Sequence, residues 1–327
     1  MNSKRFIIGF ALISLFLIPA ASQFVSSETS EITVSDNMGA ITVQTKDLTV
    51  KIIPGQAHLV WWYGNATTAD EMYKVQLVKI TEFMGDDEIL DDHTELGGVT
   101  YNLITSSWTY DIVEGTDEVT ITLSLLGLPN GADMYLIMHI YTVDTPIEGS
   151  DQVVDALTEL KFDIIVENWD FSAMAAGYAI QTYLTEVQHR HRVQLRNGTL
   201  AENGNTTRTM QFTSESYGED AVAYMEWTDF ANIYDSGDEL IDTIDVGTAY
   251  FDDLISPPTE APGFAEGLAH LFLTYANYGD GNKMVHDPII GVNADAFTAG
   301  LSLYLIPVFS GLAAIAAVVS IIRRRKN

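Results

Sequence analysis

The chain has 327 residues and no cysteine. Disulfides, thiolate catalysis, zinc–thiolate sites and cysteine lipidation are therefore excluded. A secreted domain of this kind must be held by burial or by metal. Basic residues are the second scarcity. Of 16 Lys and Arg, two lie at the N-terminus (Lys4, Arg5) and four at the C-terminus (Arg323, Arg324, Arg325, Lys326). That leaves ten in between against all 45 Asp and Glu, a formal charge of −35 for the intervening part. Such a surface repels nucleic acid and anionic lipid and attracts cations, so nucleic acid is not an expected partner. Enzyme signatures are missing too: there is no Gly-x-Ser-x-Gly elbow, no His-Glu-x-x-His, no phosphate loop and no dinucleotide fingerprint. A glycosidase needs only two carboxylates at the right separation, and among 45 acids the sequence singles out no pair.

The two ends are apolar. Lys4 and Arg5 precede the run Phe6 to Ile18, followed by Pro19 and the small residues Ala20, Ala21 and Ser22. This is the layout of a secretory signal peptide, and it predicts one over 1–22. From Ala299 to Ile322 no charge occurs, and Arg323 to Lys326 follow at once. As a helix those residues reach about 36 Å, enough to cross a hydrocarbon core of about 30 Å. The basic cluster predicts a cytoplasmic tail, 323–327, behind a single transmembrane helix, 299–322. The membrane is thus an expected partner, with the N-terminal domain outside.

Between the ends, a polar, flexible leader is expected at 23–38. Strand signals dominate after it: AITVQ, DLTVKIIP, AHLVWWY, EVTITLSLLGL and DMYLIMHIYTV. The last two flank Pro129-Asn130-Gly131, a hairpin signal. YKVQLVKITEF alternates, which predicts Val75, Leu77, Lys79, Thr81 and Phe83 on one side of a strand and Lys74, Gln76, Val78, Ile80 and Glu82 on the other. A composition shift at 149–158 predicts a linker, and strand patterns resume in LKFDIIVENW, YAIQTYLTEVQHRHRVQL, RTMQFTSES and AVAYMEWTDF. The expected fold class is all-β: two related β-sandwich halves in tandem, 39–148 and 159–297, plus the C-terminal transmembrane helix.

The relation between the halves rests on TEFMGDDEILDDH (81–93), which returns as TDFANIYDSGDELID (228–242), and on YLIMHIYTV against HLFLTYANY. Each acidic stretch is a candidate calcium loop, since calcium takes six to eight oxygen ligands at flexible distances. The candidate ligands are Asp229, Asn232, Asp235, Asp238 and Glu239 in the second copy, and Asp86, Asp87, Glu88 and Asp91, with Asp92 beside them, in the first. Neither copy has the EF-hand spacing, and a solvated acidic hairpin is the plainer reading. His189 and His191 of HRHR share one face of a strand, with no third metal ligand nearby. His286-Asp287-Pro288 reads as a turn rather than a His–Asp pair, and His139 as either core or the exposed side of a strand. Trp61, Trp62 and Tyr63 suggest core packing over sugar stacking. Asn65, Asn197 and Asn205 stand in glycosylation sequons.

The phrases VKIIPG, WWYGN, YKVQLVKITEF, LKFDIIVENWDF and MVHDPIIG, which together cover most of the chain, resemble a group of uncharacterised archaeal cell-surface proteins. The C-terminal span and basic tail resemble an archaeal sorting signal, although no Pro-Gly-Phe tripeptide adjoins the span. The resemblance implies a surface location and brings no catalytic residues. The expected function is a membrane-anchored extracellular surface protein with a non-enzymatic structural, adhesion or ligand-binding role toward an unidentified ligand or surface protein, with calcium as the candidate cofactor. The alternatives are an extracellular hydrolase acting on glycan or peptide and a solute-binding or sensor ectodomain.

Overall fold

The computed structural model describes residues 31–37, 39–65, 71–85, 87–186, 192–200, 206–213, 221–249 and 268–296. The expected signal peptide, transmembrane helix and tail, and with them Asp86, His189, His191 and Asn205, lie outside the described residues. Among the described residues no helix is long and apolar enough to cross a membrane.

The strands in chain order are β1 (Thr33–Asn37), β2 (Ala40–Gln44), β3 (Leu48–Ile53), β4 (His58–Tyr63), β5 (Tyr73–Met84), β6 (Leu96–Asn102), β7 (Thr109–Glu114), β8 (Glu118–Leu125), β9 (Asp133–Tyr141), β10 (Thr145–Pro146), β11 (Val153–Val154), β12 (Glu159–Glu167), β13 (Ala175–Glu186), β14 (Arg192–Leu200), β15 (Thr206–Thr213), β16 (Ala221–Thr228), β17 (Phe230–Tyr234), β18 (Leu240–Ala249), β19 (Leu268–Ala276), β20 (Lys283–His286) and β21 (Ile289–Val292). Among the described residues the pairings are antiparallel, and they build two layers. In the first, β1, β2, β3 and β4 pair in sequence, and β4 and β6 flank successive halves of β5. The other edge of β5 pairs with β13, then β19, then the end of β18. In the second layer β7, β8, β9 and β12 are neighbours. β12 then pairs with β20 and β21 end to end, and beyond them lie β17 and β16. β15 and β14 continue from β16. β18 belongs to both layers: Asp245 pairs with Phe230 of β17, and the next residue, Val246, with Tyr275 of β19.

The inner faces share one core, which explains why β8, β9 and β12 alternate buried and part-exposed residues along their length. Period-two apolar side chains in an antiparallel strand all point one way. Polar contacts join the layers. Trp61 Nε1 donates to Gly291 O at 3.1 Å, and the Tyr275 hydroxyl meets His286 Nδ1 at 2.8 Å. Trp61, Tyr73 and Phe212 pack their rings between the layers, with Trp61 to Phe212 at 6.0 Å. The core crosses the boundary placed at 149–158, because β5 pairs with β13 and β9 with β12.

Two local findings depart from the sequence-based expectations. Part of the expected leader is ordered: β1 is polar, yet it pairs with β2 over five rungs from Thr33↔Gln44 to Asn37↔Ala40, and Ile32 is buried beside it. Backbone hydrogen bonds supply an order that hydropathy does not announce. The strict alternation expected across 73–83 also breaks. Against β13, Lys79 pairs with Gln181 and Leu77 with Thr182, so Val78 is an extra residue, a β-bulge. Tyr73, Val75 and Leu77 enter the main core before the bulge and Ile80 after it, while Phe83 joins a separate cluster with Leu90, Ala179, Ala249 and Phe272.

Gly291 shows how tightly neighbouring strands of the second layer fit. A Cβ there would lie 2.6 Å from the Tyr224 ring and 2.9 Å from Glu159 Cγ. Gly291→Ala is expected to cost about 1–3 kcal/mol through overpacking, read as a lower urea midpoint with unchanged slope. A midpoint equal to the parent's would mean that Tyr224 and Glu159 give way.

Candidate functional site

Because the apolar positions of β8, β9 and β12 fill the core, the residues between them line the outer face of the second layer. There Glu118 (β8), His139 and Tyr141 (β9), Lys161 and Asp163 (β12) and Asp287 (just after β20) form one ionic chain. His139 stands opposite Lys161, and the pairing of Ile164 with His286 brings Asp163 alongside Asp287. His139 Nδ1 contacts Glu118 Oε1, and its Nε2 lies 3.2 Å from Asp163 Oδ2. Lys161 Nζ contacts Asp163 Oδ1 and lies 3.1 Å from Asp287 Oδ1. The Tyr141 ring is stacked on His139, 6.0 Å between centroids and 3° between planes. Side chains of Lys161 and Asp163 are each 14% exposed, so the chain is neither solvated nor sealed.

Burial in this chain works against every charge, and the partners decide the outcome. For Asp287 burial dominates, and with Asp163 adjoining it pushes the carboxyl up to about 6 despite Lys161. For Asp163 burial is outweighed by the His139 hydrogen bond and the Lys161 charge, and its carboxyl is held below the usual range. Burial is likewise outweighed at His139 by Asp163 and Glu118, and at Lys161 by Asp287 and Asp163, so both are held above their usual values. Two carboxyls are thus driven apart, one toward the acid form and one toward the base form. The Lys161 ammonium stands against both.

One row along, Glu159 accepts from the Tyr224 hydroxyl, and Glu226 accepts from Gln152 Nε2 at 2.7 Å and Thr209 Oγ1 at 2.9 Å. Burial raises the Glu159 carboxyl to about 7, with Tyr224 and the Asp155 amide pulling the other way.

The acidic loops behave differently from these clusters. In the second copy Asp235 Oδ1 accepts the amides of Gly237 (2.8 Å) and Glu239 (3.0 Å), which hold its carboxyl below the usual range. Asp238, at φ +62°, forms an ion pair with Lys283, and Asn232 Oδ1 accepts from Thr243 at 3.4 Å. Asp229 lies between β16 and β17, its carbonyl accepting the Val246 amide. In the first copy Asp87 Oδ1 accepts the Ile89 amide. Asp92 caps a 3-10 turn, with the Glu95 side chain accepting the amides of Asp91 and Asp92. Glu88 is exposed. Asp235, Asp87, Asp92 and Glu95 thus turn back onto their own backbone, while Asp238 holds Lys283. Among the described residues no three His, Asp or Glu side chains gather as metal ligands would.

Other candidates fall as follows. Trp61 and Trp62 are buried. His286 and Asp287 point to opposite faces: His286 is in the core, its Nε2 meeting Thr228 O at 3.1 Å, while Asp287 is on the outer chain. Asn65 is exposed, and Asn197 lies in β14 opposite Arg208. Sequence reasoning missed Glu118, Glu159, Lys161, Asp163 and Tyr224. The available signal was Lys161-x-Asp163 at outward positions of an otherwise apolar strand, LKFDIIV, opposite the lone His of YLIMHIY.

It also missed a buried carboxylate. Glu82 is fully buried and accepts four hydrogen bonds: from Trp169 Nε1 (3.2 Å) and the Ser172 amide (3.0 Å) on Oε1, and from the Val99 amide (2.9 Å) and Ser172 Oγ (2.6 Å) on Oε2.

No family model and no curated protein matches the chain. A solved structure titled "Crystal Structure Analysis of HI1317" aligns over 80% of this chain and 99% of its own, at 10% identity and a TM-score of 0.32. A likeness at that level carries neither fold nor function across to this protein.

Proposed function

We propose that the chain is a membrane-anchored surface protein whose folded part has a structural or ligand-binding role rather than a catalytic one. The observation that carries this reading is the closed outer chain Glu118–His139–Asp163–Lys161–Asp287, in which each named ionisable group is engaged by the next. Glycoside hydrolysis needs its two carboxyls about 5 Å or more apart, with sugar or water between them. Asp163 and Asp287 instead stand side by side in register and are both engaged by one ammonium, Lys161. In this reading 1–22 directs export, 299–322 spans the membrane and 323–327 stays inside, supported by the uncharged run and the basic cluster behind it. A common origin of the two halves is part of the same proposal. It is supported by Thr81 and Phe83 being buried at the end of β5 as Thr228 and Phe230 are at the end of β16 and the start of β17.

The test is complementation in intact cells. External protease should degrade the folded part while a tag on 323–327 survives until lysis. Asp163→Asn and Asp287→Asn should rescue loss of the protein as well as the parent does at equal surface level. Protection of the whole chain before lysis would refute the location. Selective failure of the Asn variants at normal surface level would point to chemistry at the cluster.

A further inference from the structure

The stretch 142–158, TVDTPIEGSDQVVDALT, lies as a strap across the outer face of the second layer and contains four acids and no Lys or Arg. Its hairpin, β10 with β11, packs Ile147 and Val154 on Ile289 with Tyr141 alongside. At its far end the Leu157 amide donates to Tyr141 O (3.1 Å), and Leu157 O accepts from Thr45 Oγ1 (2.6 Å). Leu157 has φ +63°, a conformation that a branched side chain adopts only when its surroundings impose it. Backbone bonds also tie both ends, the Thr142 amide to Asp117 O (2.9 Å) and the Val292 amide to Thr158 O (3.2 Å), and two further ties end on acids: Gln152 Nε2 donates to Glu226, and the Asp155 amide to Glu159 Oε2 at 2.6 Å. Acidic strap therefore faces acidic sheet across a partly dehydrated seam, held by a small apolar patch.

We propose that this strap is an acid-on-acid latch, shut while Glu159 carries its proton and loosened when that carboxyl ionises beside Asp155 and Glu226. The groups facing Glu159 are Tyr224 and Glu226 from β16 and Asp155 from the strap; Gly291 of β21, opposite in register, brings no side chain. Farther along the seam Glu148 of the strap acts on Tyr234, as does Asp287. Burial first, then Asp155 and Glu226, raise the Glu159 carboxyl to about 7 against the two hydrogen bonds. A raised folded value means that closure is most favourable at low pH and is lost as pH rises through about 7. Opening would uncover Ile289 and Tyr141 beside His139, an apolar and ionic surface covered at lower pH.

The absence of cysteine makes the test direct. Val153, 46% exposed on the strap, becomes a unique labelling site as Val153→Cys. A nitroxide there reports strap mobility in the full chain held in detergent micelles. Mobility should rise between about pH 6 and pH 8, stay low throughout in the Glu159→Gln background, and rise at a lower pH in Glu226→Gln, which removes one charge holding the proton on Glu159. Constant mobility from about pH 5 to pH 9, or a transition unchanged by Glu159→Gln, overturns the latch. Should Glu159→Gln fail to fold, Glu226→Gln decides alone: an unmoved transition refutes the role of Glu159.

Discussion

Glu82→Ala is expected to destabilise the fold by about 3–5 kcal/mol, a large share of the roughly 5–15 kcal/mol that holds a domain together. The carboxylate is fully buried and accepts four hydrogen bonds, from Trp169, Val99 and twice from Ser172. Truncation leaves four donors without their acceptor, and each buried orphan costs about 1–3 kcal/mol before the structure relaxes or admits water. The site is built around this group. Gly98, at φ +75°, has no room for a side chain because a Cβ would collide with Glu82 Oε2 and the Met84 methyl. Glu82→Gln is expected to lose about half as much, since its amide keeps one acceptor and turns an N–H pair toward existing donors. Urea unfolding of the parent and both variants checks the order. An alanine variant within about 1 kcal/mol of the parent would mean that water replaces the carboxylate without penalty.

Glu82 also shows where the sequence was readable and where it was not. The strand containing it was plain from alternation, and its neighbours Ile80 and Glu82 do share a face. The side on which that pair falls was hidden, because the bulge at Val78 reverses the parity set by Val75 and Leu77. A bulge is fixed by the partner strand, β13, about a hundred residues away, and no local pattern encodes it. The β8–β9 hairpin is the opposite case. Pro129-Asn130-Gly131 dictates a turn, Gly131 takes φ +85°, and the expected strands stand on either side, alternating buried and part-exposed residues. Long-range pairings such as β9 with β12 determine which charges meet. His139 was therefore visible only as a lone His in an apolar strand, whereas its contacts with Glu118 and Asp163 required the register. The acidic loops drew notice as charge-dense sequence, yet Asp235 and Asp92 act there as local caps of backbone amides.

Lys161→Met is expected to cost about 3–5 kcal/mol near pH 8, because it strands Asp163 and Asp287 in a part-buried site with no cation between them. The loss should shrink on acidification. Asp287 has its carboxyl raised, to about 6, so the folded state favours its protonated form; the associated stability is full below the ordinary Asp range and is lost as pH rises through about 6. Without Lys161 that value should climb further, so by pH 5 the stranded charge on Asp287 is removed by a proton. Asp163 runs the other way. Its carboxyl is held low, so its contribution is present above the ordinary Asp range and is lost only as pH falls through the depressed value. His139, still paired with Asp163, keeps that charge compensated until pH rises through the raised imidazole value. Adding Asp287→Asn to Lys161→Met should accordingly restore part of the loss at pH 8 and almost none at pH 5. That pattern distinguishes a charge left without its partner from a methylene stem left without its packing, since lost packing would cost the same at both pH values and would not respond to Asp287→Asn. Chemical unfolding of the parent, both single variants and the double variant at the two pH values gives the comparison. A Lys161→Met penalty that is equal at pH 5 and pH 8 would show that the ammonium contributes little and that the outer chain is held by its hydrogen bonds and by the stacking of Tyr141 on His139.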